Sequence, residues 1–146
     1  MESTATSPMT SEAPPKAFGA PRILAIDDST DFLLILKELL EPRGFEVCTY
    51  TNPVKALEMF QREKDSFQLV LLDYYMPQLD GAKTFEWLRK LSPTVKVVVC
   101  SGAEELRLRR MQVQYAIDGY IHKPFCLKEA LTLIERLVGR QAVSAA

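Results

Sequence analysis

The chain is 146 residues long, 47% hydrophobic and 25% charged, with a formal net charge of −1, which allows one domain with a proper core and little else. The near-neutral balance argues against general attraction to nucleic acid or to an anionic membrane. Three cysteines (Cys48, Cys100 and Cys126) and a single His122 lack the spacing of a zinc site.

In chain order, residues 1–20 are rich in Ser, Thr, Ala and Pro and read as a disordered leader. They lack the basic start and continuous apolar segment of a signal peptide. No apolar run reaches the length of a membrane span. The expected location is the cytoplasm, without membrane insertion. The folded domain is expected over 21–140, and residues 141–146 form a short tail.

The first β-rich run is Ile23–Asp27. A helix follows with Ser29 as N-cap, Phe32, Leu33, Leu36, Leu39 and Leu40 on one face, and Gly44 past its end. Leu34 falls on its polar side, among Asp31, Lys37, Glu38 and Glu41. The second run, Glu46–Tyr50, leads to Asn52-Pro53, a cap followed by a first-turn proline. The third run is Gln68–Asp73, and the helix after it, Ala82–Leu91, turns Phe85 and Leu88 inward with Trp87 at the rim of its apolar stripe.

The fourth run, Val95–Ser101, precedes a weakly amphipathic stretch, Glu104–Ala116, crowded by Arg107, Arg109 and Arg110 and read as a helix. The fifth run, Gly119–Lys123, precedes a helix with a stripe of Leu127, Ala130, Leu131, Ile134, Leu137 and Val138. Near-continuous apolar runs such as Leu69–Leu72 and Val97–Cys100 suit parallel strands buried on both faces. Cys48 and Cys100 sit in apolar, strand-like runs and read as small buried hydrophobes with free thiols, which fits a reducing compartment. Five β-then-α units specify an open, mostly parallel sheet with helices on both faces.

Ligands of such sheets sit beyond the carboxyl ends of the strands, where strand order reverses. The first run ends in Asp27-Asp28, the third in Asp73, the fourth in Ser101 and the fifth in Lys123. The fold should therefore gather these polar residues although the sequence scatters them. Three carboxylates at one edge repel one another unless a cation joins them. Oxygen-only ligands favour a hard ion that keeps some of its water, Mg²⁺ before zinc or copper. A carboxylate is also a nucleophile towards phosphorus, and phosphoryl transfer needs mainly position and neutralised charge, which Mg²⁺, Lys123 and Ser101 would supply.

Asp27-Asp28, the segment Leu72-Asp73-Tyr74-Tyr75-Met76-Pro77-Gln78-Leu79-Asp80-Gly81, Ser101 and Tyr120-Ile121-His122-Lys123-Pro124-Phe125 together resemble the receiver domain of bacterial two-component response regulators, over roughly residues 22 to 140. The resemblance implies a flavodoxin-like, doubly wound (βα)5 fold with five parallel strands in the order 2-1-3-4-5. It implies Asp73 as phosphoacceptor, Asp28 as a direct Mg²⁺ ligand, Asp27 binding the ion mainly through water, and the backbone carbonyl of Tyr75 as a further ligand. Lys123 would pair with the phosphoryl oxygens, Ser101 would move to hydrogen-bond the phosphoryl group, and Pro124 would follow a cis peptide. Tyr120 reads either as a switch residue that swings inward or as a plain core aromatic. Tyr75 and Ala103 would tune dephosphorylation. His122 reads as a partly buried structural histidine pointing away from the site, and Leu34 as part of a donor-docking face.

The implied function is a stand-alone, chemotaxis-regulator-like signalling switch rather than an enzyme, with slow self-dephosphorylation. A histidine kinase or histidine phosphotransfer protein would donate the phosphoryl group, and a protein effector rather than nucleic acid would receive the signal. The competing readings are a phosphorylation-independent interaction module with the same fold, and a fragment of a larger regulator.

Overall fold

The computed structural model describes residues 20–74, 76, 79, 81–102, 105–124 and 126–139. The segments assigned above to a leader and a tail lie outside these, Ala20 excepted, as do Tyr75 and Ala103. Five strands, β1 (Arg22–Ile26), β2 (Glu46–Tyr50), β3 (Leu69–Asp73), β4 (Lys96–Ser101) and β5 (Gly119–His122), alternate with five helices. The helices are α1 (Thr30–Leu40), α2 (Pro53–Glu63), α3 (Gly81–Leu91), α4 (Glu105–Tyr115) and α5 (Leu127–Leu137). All neighbouring strands are parallel, in the order β2-β1-β3-β4-β5.

Local chemistry explains the boundaries. The Ser29 side chain accepts a hydrogen bond from the Phe32 N–H and opens α1, while Asn52 caps α2 through the Val54 and Lys55 N–H groups. Both caps satisfy donors that a helix start leaves unpaired. After α1 a short 3₁₀ turn, Glu41–Arg43, ends on Gly44 at φ 93°, a left-handed conformation that glycine adopts without steric cost. The strand-like runs overshoot by a residue, so Asp27 and Lys123 lie just past the ends of β1 and β5. That places both side chains beyond the ladder, where they are free to face a ligand.

The alternation of side chains along each strand divides the core in two. Leu24, Ile26, Val70, Leu72, Val97 and Val99 pack with Ala56, Met59 and Phe60 of α2, Phe85 and Leu88 of α3, and Met111 of α4. Ile23, Ala25, Leu69, Leu71, Val98, Cys100 and Ile121 pack with Leu33, Leu36 and Leu40 of α1 and Ala130, Leu131 and Ile134 of α5. The sheet is thus covered on both faces, which is why its central strands read as unbroken apolar runs.

Two expectations need correction. His122 is exposed, not partly buried: β5 is an edge strand, and His122 opens onto a groove shared with Tyr120, Cys126 and Glu129. Leu127, placed in the α5 stripe, is exposed at the first turn of its helix, before α5 reaches the sheet. Trp87 is also half exposed, with the Lys90 ammonium 5.1 Å from its ring centre.

Candidate functional site

The carboxyl edge of the sheet collects the predicted residues. Strand register sets Ile26 beside Leu72 and Asp73 beside Cys100, so Asp27 continues β1 alongside the end of β3. The Asp27 N–H still donates to the Tyr50 carbonyl at 3.1 Å, which ties its backbone to the sheet although the strand has ended. Asp27 and Asp73 are buried, 2% and 7% exposed, whereas Asp28 faces solvent. Each offers a carboxylate oxygen, and the three oxygens lie within 4.8 Å of one another.

Lys123 answers this negative charge. Its ammonium donates to Asp27 Oδ2 at 2.6 Å and stands 3.9 Å from Asp73 Oδ2. The other Asp27 oxygen, Oδ1, accepts the Ser29 N–H at 2.9 Å. The Lys123 N–H donates to the Ser101 carbonyl at 2.8 Å, and Pro124 follows through a cis peptide. Backbone pairing between the ends of β4 and β5 therefore holds lysine and serine in fixed relation. Ser101 is fully buried.

On the far side of β4 the Tyr120 ring is half buried against the core under α2, α3 and α4. Its hydroxyl accepts from Arg109 Nε of α4 at 3.3 Å. Behind Asp73, Gly81 approaches closely. Its N–H donates to the Tyr74 carbonyl at 2.8 Å, and a β-carbon there would stand 2.6 Å from the Tyr74 Cα and carbonyl oxygen. Glycine is needed to start α3 this near to Asp73. Below the site the Cys100 thiol is pushed up to about 12 by burial; Lys123 pulls the other way, and Asp27 and Asp73 add to the rise.

The structure thus brings together Asp27, Asp28, Asp73 and Lys123, with Ser101 next to them in the adjoining strand and Tyr120 on α4's side of the sheet. The Tyr75 carbonyl lies outside the described residues. The donor set suits a hard divalent cation: three carboxylates, one of them open to water, offer oxygen alone. Two residues gained roles that sequence patterns did not single out. Ser29 read only as a helix cap, yet its N–H also orients Asp27. Phe32 read only as one of the apolar stripe, yet its ring centre lies 4.1 Å from the Lys123 ammonium.

The chain is 32% identical over 121 residues to the transcriptional regulatory protein CpxR homolog of Haemophilus influenzae, covering 83% of this chain and 52% of that protein. It is 32% identical over 126 residues to the transcriptional regulatory protein PrrA of Mycobacterium tuberculosis, covering 86% and 53%. It spans about half the length of these curated relatives. A crystal structure of a response regulator receiver domain protein from Clostridium thermocellum superposes with a TM-score of 0.75 at 27% identity, covering 82% of this chain and 94% of that one. The family model described as the response regulator receiver domain matches residues 23–135, and with the five-stranded 2-1-3-4-5 sheet around it, the chain belongs to the receiver domain family of response regulators.

Proposed function

We propose that the protein is a phosphorylation-dependent switch in two-component signalling and that Asp73 is the residue phosphorylated. The observation that carries this reading is the meeting of three carboxylates, from Asp27, Asp28 and Asp73, with the Lys123 ammonium at one edge of the sheet. A carboxylate oxygen of Asp73 attacks phosphorus. A P–O bond forms, the P–N bond to the donor imidazole breaks, and the imidazole nitrogen takes up a proton. Asp27, Asp28, Asp73 and the Tyr75 carbonyl would hold Mg²⁺, which when bound neutralises the charge of the transferring oxygens. Lys123 balances negative charge from the opposite side, and buried Ser101 offers a hydroxyl to the phosphoryl oxygens.

The donor is a histidine kinase or a histidine phosphotransfer protein, and the exposed apolar pair Leu34 and Ile35 on α1 supports donor docking on that helix. Tyr120 and α4 carry the response to a protein effector; the Arg109–Tyr120 contact supports that coupling. The chain acts as a signalling domain whose only chemistry is to accept and slowly lose its own phosphoryl group. Residues 21–140 form the receiver, between a leader over 1–20 and a tail over 141–146. Among the described residues no helix is long and apolar enough to cross a membrane, in keeping with a cytoplasmic role. The test is incubation with acetyl phosphate and Mg²⁺ followed by mass measurement. One phosphoryl group should be gained, and none by Asp73→Asn; label that persists in this variant would sink the assignment.

A further inference from the structure

We infer that Phe32 is a positioning residue for the phosphoryl-transfer lysine: its ring face holds the Lys123 ammonium at the mouth of the acidic site. The inference rests on the acceptor reading above and adds a residue to it.

Four groups form a closed circuit. Asp27 Oδ1 accepts from the Ser29 N–H, and Ser29 Oγ accepts from the Phe32 N–H. The Phe32 ring lies under the Lys123 ammonium at 4.1 Å, and that ammonium returns to Asp27 through Oδ2. The helix cap at Ser29 therefore does more than start α1. It fixes the first turn at the angle that presents Phe32 to β5, the strand at the far edge of the sheet.

Lys123 needs such a support. It lies one residue past β5, its side chain is a quarter exposed, and a lysine stem has many rotamers. Its bond to Asp27 fixes the distance to one carboxylate but not the direction in which the ammonium faces. An aromatic face adds a second, directional attraction, because the ring quadrupole is negative above its plane. Asp27 and the ring together occupy two of the ammonium's directions, and Asp73 stands within reach at 3.9 Å. A phosphoryl group on Asp73 would meet an ammonium already in place, so less ordering remains for the transfer step. An aliphatic residue at position 32 would supply apolar packing without this directional hold.

The test separates ring electrostatics from packing. Phe32 is replaced by mono-, di- and trifluorinated phenylalanine, which keep its shape while weakening the quadrupole, and by Leu, Tyr and Trp. Phosphorylation rates are then measured with acetyl phosphate and Mg²⁺. The rate should fall stepwise with fluorination and drop about 3- to 10-fold in Phe32→Leu, the range a partly desolvated cation–aromatic contact commands. Phe32→Tyr or Phe32→Trp should restore most of it. In the unphosphorylated protein, the Lys123 side-chain resonances should carry a ring-current shift that Phe32→Leu removes. A flat fluorination series beside a normal wild-type rate, a faster Phe32→Leu variant, or an absent ring-current shift would each overturn the role of Phe32 and leave Asp73 untouched. A wild-type protein that gains no phosphoryl group would instead overturn the acceptor reading, and the rate claim with it.

Discussion

Replacing Lys123 with Met separates the electrostatic role of the ammonium from the packing of its stem, which Met largely keeps. Asp27 is almost wholly buried, and its Oδ2 accepts from Lys123 at 2.6 Å with the Asp73 carboxylate next to it. Breaking a fully buried ion pair costs about 3–5 kcal/mol, mostly the penalty of the charge left behind. Here the lysine side chain is 25% exposed, so water recovers part of that loss, and about 2 kcal/mol is expected. The measurement is urea unfolding in EDTA, followed by circular dichroism, where the midpoint should fall with an unchanged slope. Mg²⁺ should then stabilise the variant more than the wild type, because the ammonium no longer shares Asp27 Oδ2 with the ion. Calorimetric titration should find tighter Mg²⁺ binding in Lys123→Met. Equal stability in EDTA together with equal Mg²⁺ affinity would refute the idea that Lys123 offsets the charge of the carboxylate cluster.

Gly81→Ala should lower stability by about 1–3 kcal/mol, because the added methyl meets the Tyr74 ring and also its backbone, and the backbone cannot swing aside as a side chain can; an unchanged urea midpoint would show that the approach relaxes freely. At pH 8 Cys100, buried and with its thiol pushed up to about 12, should resist iodoacetamide in the native protein while exposed Cys126 reacts; peptide mapping that finds both labelled at one rate contradicts this. Ser101→Ala should still gain a phosphoryl group, more slowly, but hydrogen exchange over Glu105–Tyr115 should no longer respond to it. A wild-type response of α4 in that variant would remove Ser101 from the coupling.

Much of this architecture was readable because strand ends and helix caps use local chemistry. Ser29 and Asn52 announce the starts of α1 and α2, and both bonds are present. Each polar residue that closes an apolar run proved to lie at the carboxyl edge, within two residues of the strand terminus. Runs such as Leu69–Leu72, however, are buried on both faces, so their periodicity cannot reveal which residue points to which helix layer. For the same reason the contact of Phe32 with Lys123 was hidden. It depends on α1 and the end of β5 sharing one face of the sheet, a tertiary fact without a local pattern. His122 was misjudged because burial in an edge strand depends on how far the neighbouring helix reaches over it.

The two-layer core also divides the labour of the site. Along β1, β3 and β5, residues alternate so that Asp27 follows Ile23 and Ala25, Asp73 follows Leu69 and Leu71, and Lys123 follows Ile121. All of those apolar neighbours pack under α1 and α5. Ser101 instead follows Val97 and Val99, and with Tyr120 it belongs to the face covered by α2, α3 and α4. Asp73, Asp27 and Lys123 thus approach from one side of the sheet, while Ser101 and Tyr120 approach from the other. β4 lies between the two, paired with Asp73 of β3 on one side and with β5 on the other. On the reading proposed above, a phosphoryl group on Asp73 would reach the face that α4 covers through the Ser101 hydroxyl at the end of β4. A one-residue slip of β4 would turn Ser101 towards α1 and α5, away from Tyr120 and the face that α4 covers.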